Sequence, residues 1–143
     1  MINTDLLKEY YPEIFVNDDY IYVEKDIYDV ISFLKTRNII CFDMLTEIIA
    51  TDYRQFIQLC YNLYSTESNE FVKVITNVTT NSIKSVVSLY KSAHFDECEI
   101  FDLFGIKFEG NDKLKRLYMP ETWQGHPLLK SYVQNDERLV WND

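Results

Sequence analysis

Glycine and proline are scarce in this chain, since each occurs only three times in 143 residues. This low content excludes collagen-like and other proline- or glycine-rich chains. Glycine-rich phosphate loops are also missing, because neither G-x-G-x-x-G nor G-x-x-x-x-G-K-[ST] occurs. The sequence therefore does not encode the common nucleotide-binding loops.

Cysteine and histidine are equally sparse. Cys41, Cys60 and Cys98 lie far apart with no C-x-x-C spacing, and His94 and His126 belong to different segments. An odd and scattered set of cysteines argues against a disulfide framework and against a zinc or iron–sulfur site supplied by this chain alone. We therefore expect no cofactor, no metal and no catalytic residue in the chain.

Long apolar runs are absent as well. No stretch approaches the ~18 apolar residues that a membrane-spanning helix needs. The N-terminal segment has no basic stretch followed by an apolar one, so no signal peptide is expected. The sequence predicts a cytoplasmic chain that is soluble or peripherally bound, with no direct membrane insertion.

Basic residues are outnumbered by acidic ones: the chain has 14 Lys and Arg residues and 23 Asp and Glu residues, so its net charge is -9. Nucleic-acid binding requires a basic face and is not expected. Residues 1–106 carry 17 acidic and 8 basic side chains, whereas residues 107–143 carry six of each. The length suits one domain, which we divide into a body over residues 1–109 and an extended tail over residues 110–143.

The apolar pattern of the body predicts both helices and strands. Helices are predicted over residues 5–10, 26–37, 83–93 and 96–104, and strands over residues 20–23, 41–50, 55–64 and 71–78. Short connections between the last three strands favour an antiparallel meander. Gly105 suits a left-handed C-cap at the end of the last helix. The predicted fold class is α+β, a small two-layer domain with helices against a mainly antiparallel sheet.

The last predicted helix crowds four carboxylates together, those of Asp96, Glu97, Glu99 and Asp102. Three interpretations remain open for them. They form a solvated acidic face, or an acid–base pair that works with one of the two histidines, or a set of acceptors for the Arg and Lys side chains of a partner.

The tail combines much apolar surface with little periodicity. Pro120, Gly125 and Pro127 exclude a long helix, and long irregular loops are uncommon in compact domains unless they are functional or disordered. Its apolar side chains are those of Tyr118, Met119, Trp123, Leu128 and Leu129. Aromatic anchors of this kind are typical of interface cores. We expect a partner to order residues 110–143 and the turn at 125–127 to present His126 and Lys130 outward; the alternative is that the tail wraps its own sheet.

Two motifs in this region resemble one known family. AHFDECEIFDLFGIKFEG at residues 93–110 and GHPLLK at residues 125–130, with LKRL between them, resemble the C subunit of respiratory complex I, the NADH–quinone oxidoreductase. The same family includes chains of membrane-bound, energy-converting nickel–iron hydrogenases. The resemblance is strongest over residues 82–130, and the chain departs from the family pattern at Cys98, where an arginine is usual.

The resemblance implies a cofactor-free structural subunit in the peripheral arm, on the cytoplasmic side of a membrane-bound complex. It implies two partners, the large subunit related to nickel–iron hydrogenases and the B subunit, and the iron–sulfur clusters of such partners would carry the electrons. The expected interface residues are Glu97, Glu99, Asp102, Phe104, Gly105, Arg116, Trp123, Gly125, His126, Pro127, Leu128 and Lys130. The alternatives are the equivalent hydrogenase subunit, a free-standing carboxylate-dependent hydrolase and an unrelated adaptor domain with an acidic face.

Overall fold

Over the residues that the structure describes, three helices pack against a mixed, mainly antiparallel five-stranded sheet, and this arrangement confirms the predicted α+β class. The computed structural model describes residue 2 and residues 4–133. The elements in chain order are α1 (Thr4–Tyr10), β1 (Phe15–Val16), β2 (Ile21–Tyr22), α2 (Ile27–Thr36), β3 (Met44–Asp52), β4 (Ile57–Ser65), β5 (Glu70–Val78), β6 (Ser82–Lys84), α3 (Ala93–Phe104) and β7 (Lys107–Glu109). Among the described residues, no helix is both long and apolar enough to cross a bilayer.

The five-stranded sheet has the strand order β1-β2-β5-β4-β3. Strands β3, β4 and β5 form the predicted antiparallel meander. Strand β2 pairs with β5 in parallel, which the sequence pattern did not predict, and the short strand β1 closes the other edge. Strands β6 and β7 form a separate parallel pair.

Alternation along the strands places one apolar face against the helices. In β4 the side chains of Leu59, Tyr61 and Leu63 are buried, and Val30 and Leu34 of α2 belong to the same core cluster. Burying an aliphatic or aromatic side chain of this size contributes about 1.5–3 kcal/mol relative to leaving it exposed. The predicted strand over residues 55–64 is therefore confirmed, and its buried side chains belong to the core.

The predicted helix over residues 83–93 is wrong. Ile83 pairs with Phe108 in the β6–β7 ladder, and the Ser85 N–H donates to the Glu109 carbonyl at 2.8 Å. Residues 85–92 form turns, and the helix begins only at Ala93. The apolar spacing of this segment fits a helix, but its β-branched residues favour an extended backbone when a partner strand is available. The partner strand, β7, follows more than 20 residues later.

Candidate functional site

Helix α3 lies beside the edge strand β3 and covers part of its free backbone. The Asp96 carboxylate accepts the Ile48 N–H at 3.0 Å, and the Ser92 hydroxyl donates to the Leu45 carbonyl at 3.2 Å. Burial is the main reason that the pKa of Asp96 is raised. A side chain that pairs an edge strand's N–H also blunts that edge against aggregation. Asp96 therefore fixes α3 on the sheet.

Glu97 is completely buried and joins three separate segments. Its carboxylate accepts hydrogen bonds from the Ser85 hydroxyl at 2.7 Å, the Val86 N–H at 2.9 Å and the Asn111 side-chain amide at 2.9 Å. Burial raises the pKa of Glu97, while these three donors act in the opposite direction. The side chain therefore holds α3 to the residues that follow β6 and β7.

The donors around Glu97 have fixed directions. The Ser85 oxygen itself accepts the Val87 N–H at 3.1 Å, so its hydrogen is free to point at the carboxylate. The Asn111 oxygen accepts the Lys113 N–H at 3.2 Å, so its amide nitrogen faces Glu97. Because a backbone N–H and an amide nitrogen can only donate, Val86 and Asn111 both require an acceptor at this position.

Asp102 is also completely buried, and it organises the start of the tail. One carboxylate oxygen accepts the backbone N–H groups of Leu117, Tyr118 and Met119 at 2.7–3.1 Å. The other oxygen pairs with the Arg116 guanidinium at 3.0 Å. Burial alone would raise the pKa of Asp102, but the three N–H donors and Arg116 together lower it below the ordinary value.

Arg116 extends this network to the second motif. Its guanidinium donates to the Trp123 carbonyl at 2.9 Å and to the Gly125 carbonyl at 3.0 Å, in addition to the Asp102 carboxylate. The Trp123 indole N–H donates to the Tyr132 hydroxyl at 3.1 Å. One planar, rigid cation therefore fixes the loop that leads to residues 125–130.

His126 sits against the end of α3. Its Nδ1 lies 2.9 Å from the Asp102 carbonyl oxygen, and the Leu128 N–H donates to the Leu103 carbonyl at 2.9 Å. Gly105 has a φ of 78°, and a Cβ built there would lie 2.6 Å from the His126 ring. The predicted left-handed cap at Gly105 is confirmed. The prediction that the imidazole points outward is corrected, because the ring is half-buried and fills the space that Gly105 leaves.

The tail is held by the body of its own chain over the described residues. Besides the contacts of Asp102 and Leu103, the Lys130 N–H donates to the Asp52 carboxylate at 2.8 Å, which is the main reason that the pKa of Asp52 is lowered. Over residues 110–133 the tail therefore contacts its own body; the expectation that a partner orders residues 110–143 stays a prediction. Residues 134–143, including Trp141, lie outside the described residues.

The structure divides the expected interface residues into two groups. Glu97 and Asp102 are buried and bonded within the chain, so neither is part of a solvated acidic face and neither is accessible to a partner's cation. Gly105, Arg116 and His126 also serve internal packing, as does Gly125, where a Cβ would lie 3.1 Å from the Tyr132 ring. The remaining interface residues, all half-buried or exposed, are Glu99, Phe104, Trp123, Pro127, Leu128 and Lys130.

Three exposed apolar residues of the tail have their backbones bonded to the end of α3, and we call them the motif surface. Leu117, Tyr118 and Leu128 are all exposed there, Tyr118 to 66% and Leu128 to 52%. They surround the Asp102 network through their backbone contacts with Asp102 and Leu103. Sequence reasoning missed Leu117, as well as Ser85 and Asn111 of the Glu97 network, because only the fold brings these segments together.

The geometry does not favour acid–base chemistry at this site. Glu97 and Asp102 have their oxygens occupied by internal donors and are closed to solvent. Cys98 is buried, with its sulfur 3.8 Å from both ring nitrogens of His94. Within residue 2 and residues 4–133, no group of three or more His, Cys, Asp or Glu side chains is arranged to hold a metal.

Two glycine variants test the packing of His126. Both Gly105 and Gly110 have positive φ, but a Cβ at Gly110 meets nothing within 4 Å. Gly110→Ala should cost only the strain of a left-handed backbone, about 1–2 kcal/mol. Gly105→Ala should cost about 1–3 kcal/mol more, because it overpacks the site against His126. Urea denaturation checks the difference; equal losses for the two variants would contradict the proposed contact.

Comparison with known sequences gives a consistent result. The family described as the 30 kDa subunit of respiratory-chain NADH dehydrogenase matches residues 21–138. The C subunit of the NADH-quinone oxidoreductase of Trichlorobacter lovleyi is 37% identical over 116 residues, which cover 76% of this chain and 70% of the relative. The C subunit of a Roseiflexus species is 34% identical over 133 residues, which cover 89% and 76%. The C/D subunit of Methylococcus capsulatus is 43% identical over 74 residues, which cover 50% of this chain and only 13% of that protein.

Two solved structures share the fold. A chain of the membrane-bound sulfane sulfur reductase, an archaeal respiratory membrane complex, superposes with a TM-score of 0.67 at 26% identity and covers 82% of this chain and 76% of its own length. The trypsin-resistant fragment of Nqo5 superposes with a TM-score of 0.64 at 24% identity, covering 77% of this chain and 97% of the fragment. The aligned family region includes α3, both motifs and the motif surface.

Proposed function

Because the chain belongs to the family of the 30 kDa subunit of respiratory-chain NADH dehydrogenase, we propose that it is a structural subunit in the peripheral arm of a complex I-like NADH–quinone oxidoreductase. Its relatives are named as subunits of that enzyme, so partner subunits are implied. The large hydrogenase-related subunit and the cluster-bearing B subunit are the proposed partners. The complex is proposed to lie on the cytoplasmic side of the membrane.

The motif surface is the observation that carries this proposal. Residues 93–130 carry the most specific part of the family resemblance, and hydrogen bonds within the chain make them a rigid platform. On that platform Leu117, Tyr118 and Leu128 are exposed to solvent. Exposed aromatic and aliphatic side chains on a rigid surface are typical of protein interfaces. Their placement supports docking to another subunit through this surface.

The chain is proposed to hold no redox cofactor of its own. Its strongest candidates for chemistry, Glu97 and Asp102, are committed to internal hydrogen bonds. Electron transfer is then a property of iron–sulfur clusters in neighbouring subunits, and this chain supports it by holding those subunits in position.

One observation favours a second candidate, the equivalent subunit of a membrane-bound respiratory complex other than an NADH–quinone oxidoreductase. The similarity to a chain of the archaeal sulfane sulfur reductase covers most of both chains. The same motif surface would then dock to a different set of subunits. Mass spectrometry of the native complex distinguishes the two candidates by the subunits that co-purify.

Removing the exposed side chains of the motif surface should weaken assembly and leave the fold intact. Tyr118→Ser combined with Leu128→Ser should release the chain from its complex, because an aromatic hot-spot residue contributes about 2 kcal/mol or more, roughly a thirty-fold change in affinity. Recovery of partner subunits with the affinity-tagged chain measures this loss. The control is Ile39→Ser, since Ile39 is 78% exposed in the loop after α2. Wild-type recovery of the partners with the double variant would contradict the proposed docking.

A further inference from the structure

The second face of the five-stranded sheet carries an apolar row that the core does not explain. Cross-strand pairing aligns Phe15, Tyr22, Ile75, Cys60 and Ile49 in one row across all five strands. At about 4.8 Å between strands, the row is roughly 20 Å long. None of these five residues is buried, and Phe15 and Ile49 are 55% and 45% exposed.

A shorter apolar row runs parallel to the first at one end of the meander. Met44, Tyr64 and Phe71 are cross-strand neighbours, and the Tyr64 and Phe71 rings are 4.5 Å apart. Phe71 is 70% exposed. The β-bulge inserts one extra residue, Thr46, between Leu45 and Glu47. This insertion puts Met44 on the same face of the sheet as Ile49. We call the two rows together the open sheet face.

A solvated face of an antiparallel sheet normally carries polar side chains. Here the only charged pair between the two rows is Glu47 and Lys73, on either side of Asn62. Exposed apolar rows of this length mark a contact with another molecule. The opposite charges of Glu47 and Lys73 cancel, so the face between its borders is mostly apolar and close to neutral, as in the core of a protein interface.

The border of the open sheet face is acidic. Exposed carboxylates flank it at the β1–β2 turn, after β2, before β3 and in the β4–β5 turn, and they belong to Asp18, Asp19, Glu24, Asp43 and Glu67. Lys25, Arg37 and Arg54 are the basic residues in the connections around the described sheet, so carboxylates outnumber them along its border. A second copy of this chain would bring two acidic borders together, which like-charge repulsion disfavours. The complementary partner has an apolar centre and a border rich in Lys or Arg.

We propose that the open sheet face is a second docking surface, separate from the motif surface, and that its occupant is a different protein subunit with an apolar centre and a basic border. The inference rests on the proposed function, since it assumes that the chain is part of a complex. It adds that the chain bridges two neighbours, one on the side of α3 and one on the opposite side of the sheet.

The test compares the full-length tagged chain and its variants in the purified complex. Ile49→Lys should lower the recovery of partner subunits at least ten-fold. The substitution places a cation in an apolar contact and close to the basic border of the partner subunit. Ile39→Lys is the matched control and should leave recovery unchanged. A lysine on the edge strand β3 is tolerated by the fold, so thermal melting of isolated Ile49→Lys should match that of the wild type.

A second measurement identifies the occupant. Zero-length carbodiimide cross-linking of the intact complex should join Asp18, Asp19 or Glu67 to lysines of another subunit. Wild-type recovery with Ile49→Lys overturns the proposal. So does an isolated chain that sediments as a dimer and becomes monomeric with Ile49→Lys, because a second copy is then the occupant. If only the Tyr118→Ser/Leu128→Ser variant loses its partners, the proposed function stands and the second docking surface does not.

Discussion

Asp102→Asn should lower the free energy of unfolding by about 3–5 kcal/mol, the usual cost of breaking a buried ion pair by removing one partner. Asp102 is fully buried, and the Arg116 side chain is only 13% exposed. In the variant, the Arg116 guanidinium loses its counter-charge. One carboxylate oxygen, which accepts hydrogen bonds, is replaced by an amide nitrogen, a donor that faces other N–H groups. Urea denaturation measures the loss, and faster amide exchange at residues 117–119 shows where it acts.

The control for Asp102 is Asp112→Asn, the same change at an exposed position in the turn after β7. Exposed substitutions of this kind usually change the free energy of unfolding by no more than about 0.5 kcal/mol.

The pKa of Asp102 is lowered on folding, so its ionised form stabilises the fold above about pH 4, the pKa of an unfolded Asp. That contribution is lost as the pH falls through the lower folded pKa. The gap between wild type and Asp102→Asn should therefore narrow below about pH 4; a gap that does not depend on pH would contradict the ion pair.

Glu97→Gln should cost about 1–3 kcal/mol, the desolvation penalty of a buried polar group left unsatisfied. The amide nitrogen of the variant must face at least one of the three donors. The Val86 N–H cannot accept a hydrogen bond. The Asn111 amide could turn its oxygen toward residue 97 only by losing the hydrogen bond from the Lys113 N–H. Glu99→Gln is the matched control, because Glu99 is two residues away on the same helix and only half-buried.

Thermal and urea denaturation of the Glu97→Gln and Glu99→Gln variants decide whether the two glutamates differ. Glu99→Gln should stay within about 0.5 kcal/mol of the wild type. Exchange of the Val86 amide should quicken in Glu97→Gln and remain slow in Glu99→Gln. Equal stability of the two variants would show that the buried network around Glu97 does not hold α3 in place.

Local patterns predicted much of the fold. The alternation of residues 55–64 and the helical spacing of residues 26–37 gave strand β4 and helix α2 within two residues at their ends. Gly105 ended α3 as expected, because a left-handed cap depends on the residue itself. The prediction of a helix over residues 83–93 was wrong because their apolar spacing fits both a helix and a strand. The partner strand that decides between the two is distant in the chain.

The candidate site was only partly predictable for the same physical reason. The carboxylates of α3 are visible in the sequence, but the groups that neutralise Asp102 follow it by 14–17 residues and approach it only after the chain turns back. Without those contacts, a cluster of four carboxylates is typical of an exposed surface. The contacts of the tail with its own body were likewise not predictable, because many of them are made by backbone N–H groups, which every residue except proline carries.

Photo-cross-linking at position 118 tests docking through the motif surface most directly. Tyr118→benzoylphenylalanine places the probe on a side chain that is 66% exposed in the isolated chain. Irradiation of the native complex should yield one dominant adduct with another subunit of an NADH–quinone oxidoreductase or a related membrane-bound complex, identified by mass spectrometry. A chain that remains uncross-linked within an otherwise intact complex, or that cross-links only to another copy of itself, would contradict docking through this surface.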